Sequence, residues 1–455
     1  MRFPVVITHI LTRRKENAEV SVAEDELKKA EWALLVGVTT TGSHAADQWF
    51  RGFLQACRQR NLLICGIDFE ESLRDGVPRI PLDCLITLPG AFSRDITSAH
   101  LITAISTIRQ RCPGSVVASA ALRENYQLLN SRFAKELHIT ANTPECIQLI
   151  QDKPACRARL HQAGFYQPRS LRIRGVGPGD TIEFEDVFGC RVSHPSDNPR
   201  GWIVKPATGM GSIGVEFISS LDEISALNLS LSDDYCCEEF IEGDEFSIEG
   251  LVTASTVRVY AVTEKTTNER FVETGHRQPA GTQQLPNQAE LEQEFQDCIT
   301  ALGIQCGHLH AEFWRTPEGT IVWGEFHVRQ GGDLIAPDLV TAIRPELDYY
   351  GELIDSLRGL PLPPLPPIRY CAGVRFIEVN AGMVQGISVR NTLPPATKVY
   401  WQAQPLEHPH AVNSSTARGS VLFSYGRDQT TVNDNLNQAE NLCKIEVAQL
   451  SNEGQ

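Results

Sequence analysis

The sequence predicts an α/β region followed by an α+β region, and three observations carry that reading. Over residues 1–140 short apolar runs alternate with segments of helical spacing, the rhythm of a parallel sheet covered by helices. From about residue 141 the order changes to helices followed by alternating, antiparallel-looking strands. Finally, 455 residues is chain enough for two to four domains at about 150 residues each.

Composition narrows the function classes. Lys and Arg number 41 against 56 Asp and Glu, a net charge of −15, and 42% apolar with 21% charged residues is ordinary for globular chains. No basic cluster offers the concentrated positive charge that counterion release from nucleic acid requires. No apolar run reaches the roughly 18 residues of a membrane span. Residues 3–11 are apolar apart from Thr8 and His9, but Arg13, Arg14 and Lys15 follow where a cleaved leader has small residues, so a cytoplasmic location is expected. Thirteen Cys, with no C-x-x-C pair, read as reduced, buried thiols.

The elements follow in order. Residues 32–38, 62–69, 82–88 and 115–118 read as strands, and 45–60 and 99–111 as helices between them. The first turn, GVTTTGSHAADQ, lacks the dinucleotide fingerprint. A helix is expected over 143–163 and strands over 201–206, 214–218, 235–241 and 246–251, the last two as a hairpin about Gly243. PLPPLPP at 361–367 reads as a stiff linker. Beyond it, 369–379 and 397–402 read as strands and 432–446 as a helix. The domains expected are therefore 1–140, 141–365 and a small one over 366–455.

Two segments carry chemistry. Residues 209–214 spell G-x-G-x-x-G, but the strand WIVKP precedes them and the alternating GVEFI follows, so the loop tips a β-hairpin instead of opening a helix. Downstream there is no HRD or DFG, and no Walker motif occurs. What remains is a glycine flap whose amides can close over phosphates, with Lys205 as a point charge at its mouth; the plainer alternative is a turn with no ligand.

The second is 307–329, GHLHAEFWRTPEGTIVWGEFHVR. Leu309, Ala311 and Phe313 with Val322, Phe326 and Val328 make the expected buried face. Period-two alternation puts His308, His310, Glu312, Glu325, His327 and Arg329 opposite. A two- or four-residue loop keeps Glu312 and Glu325 on one face, whereas a three-residue loop separates them. Paired carboxylates repel unless a cation lies between them, and hard oxygen ligands suit Mg²⁺ or Mn²⁺. A solvated sheet face, or a zinc site on His308, His310 and Glu312, are the competing readings.

Taken in order, DK at 152–153, IVKPATGMGSIGV at 203–215, EEFIEGDEFSIEG at 238–250, HAEF at 310–313 and GEFHVRQGGD at 324–333 resemble the ATP-grasp superfamily, most of all its carboxylate-amine ligases that join amino acids into dipeptides. TEK at 263–265 and FVETGHRQPA at 271–280 resemble that subgroup's substrate segment. The resemblance implies an ATP-grasp fold with an N-terminal α/β domain, a flexible lid subdomain around 170–240 and a small C-terminal α+β domain. It implies that Lys153 and Lys205 contact ATP phosphates under the flap of Gly209, Gly211 and Ser212, and that Glu238, Glu239 and the backbone near Ile241 meet adenine and Glu245 the ribose. Glu312 and Glu325 would bind metal, Mg²⁺ or Mn²⁺, as two ions. His327 stands where such ligases typically have Asn. Arg329 and His276 would meet the acyl phosphate.

The implied function is an ATP-dependent ligase forming an amide between a small carboxylic acid, an amino acid or derivative, and an amino acid, through an acyl phosphate. Alternatives are a nucleotide-biosynthesis ligase on the same scaffold, or an ATP-binding regulatory protein without catalysis. Small molecules are the expected partners, with no nucleic acid and no membrane, and a homodimer is the candidate assembly.

Overall fold

The structure, a computed structural model, describes residues 29–39, 44–75, 81–93, 96–174, 184–189, 198–209, 211, 213–227, 229–230, 233–268, 271–281, 285, 287–378, 383–401 and 418–448. The leader reading at 3–15 and Ser212 lie outside them. Two compact units emerge, 1–144 with 348–363 and 145–347 with 364–455, so one unit boundary falls inside the proline run.

The first unit alternates β1 (Glu31–Val36), α1 (His44–Gln59), β2 (Leu63–Phe69), α2 (Glu70–Asp75), β3 (Cys84–Leu88), α3 (Ser98–Arg111), β4 (Ser115–Ala120) and α4 (Gln127–Leu137). Its four strands are parallel in the order β3-β2-β1-β4. Continuous apolar runs form β1 and β2 because helices cover both faces of such a sheet. Asp68 is fully buried yet satisfied: it accepts from the Thr39 amide at 2.7 Å, the Phe69 amide at 2.8 Å and the Tyr126 hydroxyl at 2.7 Å. Arg60 ties the helix Tyr349–Leu357 to this unit through Asp355 at 2.6 Å.

In the second unit the helix expected over 143–163 is two helices, α5 (Pro144–Gln151) and α6 (Lys153–Gln162). Asp152 interrupts them: its Oδ1 accepts from the Ala155 amide at 2.9 Å as an N-cap, and Pro154 sits where a helix start tolerates it.

Strands β5 (Ser170–Arg174), β6 (Phe184–Asp186), β7 (Trp202–Pro206), β8 (Glu216–Ile218) and β9 (Asp234–Glu239) make an antiparallel sheet ordered β6-β5-β9-β7-β8. It has its own core of Leu171, Ile173, Trp202, Val204, Ile218 and Cys237. The glycine loop joins β7 to β8, so it tips a β-hairpin as expected.

The expected hairpin about Gly243 does not form. After β9 the chain passes into a different sheet, where β10 (Asp244–Thr253) pairs with β11 (Thr256–Thr267) and with β13 (Gly307–Arg315). Those partners satisfy the backbone along both edges of β10, whereas a local hairpin with β9 would pair only one. The eight-stranded antiparallel sheet runs β14-β13-β10-β11-β12-β15-β18-β17, with β12 (Glu273–Gln278), β14 (Ile321–His327), β15 (Cys371–Glu378), β17 (Thr397–Trp401) and β18 (Arg418–Gly426). The carboxy-terminal strands β15, β18 and β17 thus continue the sheet begun at β10. The helix α7 (Gln288–Leu302) covers the sheet's apolar face through Phe295, stacked on Trp323 at 5.3 Å between ring centroids.

The last expected helix ends early: α8 (Gln429–Leu442) gives way to β19 (Cys443–Ala448), which pairs with β16 (Met383–Val389). The alternation of KIEVA already favoured that strand. Among the described residues no helix is long and apolar enough to cross a membrane, and no cysteine is in a disulfide.

Candidate functional site

The β13–β14 hairpin turns through Pro317, Glu318 and Gly319, with the Gly319 amide donating to the Thr316 carbonyl at 2.8 Å and Gly319 in the left-handed region at φ 91°. This is the three-residue loop that should separate Glu312 from Glu325. A β-bulge restores them: Phe313 pairs with Trp323 but Ala311 pairs with Phe326, so Gly324 and Glu325 together oppose Glu312. Gly324 is required there, because a Cβ would lie 2.4 Å from the Trp314 ring. The three-residue loop itself puts Trp323, not Val322, beside Phe313 on the apolar face, with ring centroids 5.1 Å apart.

The other face of β10 to β14 is polar. Ser247 opposes Glu312 and Glu249 opposes His310 in the β10–β13 register, while Lys265 opposes His276 between β11 and β12. Lys265, missed by the sequence reading, is the hub. Its Nζ lies 2.5 Å from Glu312, 2.8 Å from Glu273 and 3.1 Å from Glu245, and those three carboxylates lie within 4.8 Å of one another. Burial opposes the Lys265 charge, but the carboxylates outweigh it and raise its pKa well above the usual lysine range. Burial, with Glu312 and Glu273 adding to it against Lys265, pushes Glu245 up to about 7. Glu312 moves the other way: Lys265 and His310 overcome its burial and hold it below the usual range.

His310 and His327 stack at 5.9 Å across the hairpin. His310 Nδ1 is 2.8 Å from Glu249 Oε1, which also accepts from the Ser247 hydroxyl at 2.8 Å; Glu249 outweighs burial and raises His310 to about 9. Tied in this way, His310 does not join His308 and Glu312 as a metal-binding group among the described residues. His327 Nε2 lies 3.5 Å from Glu325.

A second cluster meets Glu325. Lys153, first residue of α6, donates from Nζ to the Gly209 carbonyl at 3.0 Å and lies 3.6 Å from Glu325. The Lys153 amide also donates to the Ala207 carbonyl at 3.0 Å, so this one residue holds the flap's first strand end twice. Lys205, from β7, lies 2.7 Å from Glu238 and 3.3 Å from Glu325. Arg157, one helical turn after Lys153, donates from Nε to Glu238 at 3.0 Å. Burial would raise both carboxylates, but Arg157 and Lys205 hold Glu238 at about 2, and Lys153, Lys205 and His327 hold Glu325 well below the usual range.

The structure thus brings together Lys153, Lys205, Gly209, Glu238, Glu245, Glu312, Glu325 and His327. Glu239 is half-buried and accepts from the Arg169 amide at 3.3 Å; Ile241 is half-buried just past β9, and Gly211 is exposed. His276 is buried on β12, 3.7 Å from Glu273, and Glu273, His276 and Asp333 converge within 4.8 Å. Arg329 stands two residues past β14 and donates to the Gln330 carbonyl at 2.7 Å. Arg157, Lys265, Glu273, Glu249 and Asp333 are the residues sequence reading missed. The Lys153–Arg157 helical spacing and the Thr263–Lys265 alternation were the available signals.

The residues fit a divalent cation. Oxygen donors dominate, and the Lys265 ammonium already stands among three carboxylates where a positive charge is needed. No curated protein sequence matches the chain. Residues 199–338, which include Lys205, Glu238, Glu312 and Glu325, match the family model described as ATP-grasp domain. Among solved structures, an L-amino acid ligase from Bacillus licheniformis superposes with TM-score 0.70 at 16% identity, over 92% of this chain and 100% of that one. Phosphoribosylglycinamide synthetase from Anaerococcus prevotii gives 0.60 at 13%, over 92% and 100%. The biotin carboxylase domain of 2-oxoglutarate carboxylase from Hydrogenobacter thermophilus, solved with MgADP, ADP and bicarbonate, gives 0.59 at 13%, over 91% and 90%. The glycine hairpin, Lys205 and the bulge-aligned carboxylates lie inside the matched region, so residues 199–338 carry the likeness to the ATP-grasp domain, and the chain shares the fold of these solved structures.

Proposed function

We propose that the protein is an ADP-forming, cytoplasmic ligase that joins the carboxylate of an amino acid or derivative to the amine of an amino acid. One observation carries this reading: Glu312 and Glu325 share a face, and Lys153 and Lys205 approach Glu325 from the other sheet and from α6.

A carboxylate is a poor electrophile, and moving the γ-phosphoryl of ATP onto it creates a leaving group. Positioning and charge compensation supply most of the catalysis in such transfers. Lys153 and Lys205 bind the phosphates, exchanging their present carboxylate partners for phosphate oxygens. Glu312 and Glu325, with His327 beside them, would hold Mg²⁺ or Mn²⁺, as two ions, which would supply further neutralisation of phosphate charge. Glu238, Glu239 and the backbone at Ile241 serve the adenine end; a carboxylate oxygen already accepting one hydrogen bond has a second lone pair for an amine. Glu245 takes the ribose. The flap of Gly209, Gly211 and Ser212 excludes water from the acyl phosphate. Arg329 stabilises the oxyanion and His276 orients the phosphate or moves a proton.

The test measures ADP release with Mg²⁺ over a panel of amino-acid pairs, with phosphoribosylamine and bicarbonate included. Release that requires both a carboxylate and an amino acid amine supports the proposal. AMP as product, ADP without a carboxylate, or turnover only with phosphoribosylamine or bicarbonate overturns it. Calorimetric ATP binding with no turnover on any pair would instead mark a regulatory ATP-binding protein.

A further inference from the structure

We propose that Cys65, Cys84 and Cys112 form a three-thiolate site for one thiophilic divalent cation of the Zn²⁺ class, in the first unit and independent of the nucleotide chemistry. Their sulfurs lie within 4.8 Å of one another, and the three residues are only 0%, 7% and 3% exposed. They converge from three elements. Cys65 and Cys84 are direct partners in the parallel β2–β3 register, and Cys112 is the C-cap residue of α3. Their buried neighbours Ile67, Ile86 and Ile108 are aliphatic, so packing alone does not call for three thiols at one point.

Geometry and charge both suit this ion. A Zn–S bond of about 2.3 Å in a tetrahedron sets sulfurs about 3.8 Å apart, so side-chain movements of at most about 1 Å close the site. Cys84 opens β3, the edge strand, and is the least buried of the three, which leaves the fourth position for a water on that side. Three thiolates, a divalent ion and the guanidinium of Arg111 sum to zero charge. Arg111 precedes Cys112, and its Nη1 donates to the carbonyl of Leu85, the residue after Cys84, at 3.0 Å. On binding, each thiol releases its proton to solvent and keeps its electron pair for the metal, three protons per ion. Cys65 and Cys84 lie toward the amino ends of their strands, opposite the carboxyl ends where open α/β sheets bind substrates, so the ion would staple β2, β3 and α3 together.

The experiment titrates the reduced, chelator-stripped full-length protein with Cd²⁺, read by sulfur-to-metal charge-transfer absorption, and then displaces it with Zn²⁺. One equivalent, a rise in Tm, and sulfur absorption weakened at least about 100-fold in affinity by Cys84→Ser are expected, since even outer-shell changes cost 10–100-fold. ATP binding by Cys84→Ser stays at the wild-type level. X-ray absorption on the Zn²⁺-loaded wild type needs no variant and should show three sulfurs and one oxygen. A nitrogen–oxygen shell, undiminished Cd²⁺ uptake by Cys65→Ala/Cys84→Ala/Cys112→Ala, or a disulfide between two of these cysteines overturns the proposal.

Discussion

At the residue scale, the site is a set of buried charges that hold one another in place. Lys265 concentrates this: it is nearly inaccessible, and three carboxylates surround it. Removing one partner of a buried ionic group typically costs about 3–5 kcal/mol, because the remaining charges lose their compensation. Lys265→Met should therefore lower stability by about that amount. Mg²⁺ should then raise the variant's Tm more than the wild type's; equal shifts would show that Lys265 does not stand in for a cation. Glu325→Ala should reduce ADP release by about 100-fold or more while the circular dichroism spectrum stays native; retained turnover would contradict its proposed role. Glu238 yields a pH prediction. Arg157 and Lys205 hold its folded pKa at about 2, below the ordinary glutamate range, so its contribution is present above the unfolded value and is lost as pH falls through the folded one. The stability gap between wild type and Glu238→Gln, measured by urea unfolding, should shrink as pH drops from about 4.5 toward 2. A gap independent of pH would mean that the carboxylate charge is not what Arg157 and Lys205 recognise.

At the element scale, the decisive feature is the bulge in the β13–β14 hairpin. A three-residue turn alone puts Glu312 and Glu325 on opposite faces, and the extra residue at Gly324 returns them to one. Gly324→Ala drives a methyl into the Trp314 ring and should destabilise by about 1–3 kcal/mol, the usual range for overpacking. Its loss of turnover should exceed that of a core substitution of equal stability cost, because relief of the clash shifts one carboxylate off the face. Matched chemical denaturation and ADP-release assays make that comparison.

At the scale of the whole molecule, two compact units and a separately cored five-stranded sheet argue against a single unfolding transition. Calorimetry should resolve more than one transition. ATP with Mg²⁺ at about 100 times its dissociation constant should stabilise the transition of 145–347 with 364–455 by about 2.7 kcal/mol and leave the other where it was. A uniform shift of every transition would assign the nucleotide to both units.

Much of this was legible in the chain itself. Apolar runs and alternation marked the parallel sheet, the glycine hairpin and most strands, because burial imposes its period directly on neighbouring residues. Glu312, Glu325 and Lys205 stood out by type and local setting, and Lys153 only through the resemblance of DK at 152–153. Tertiary structure alone decided what faces what: that β9 and β10 separate into different sheets, that Lys265 sits among Glu245, Glu273 and Glu312, and that Arg157 holds Glu238. Apart from Lys265 and Glu273, those pairings join residues 20 to 81 positions apart, and long-range register depends on bulges and sheet order that no local pattern encodes.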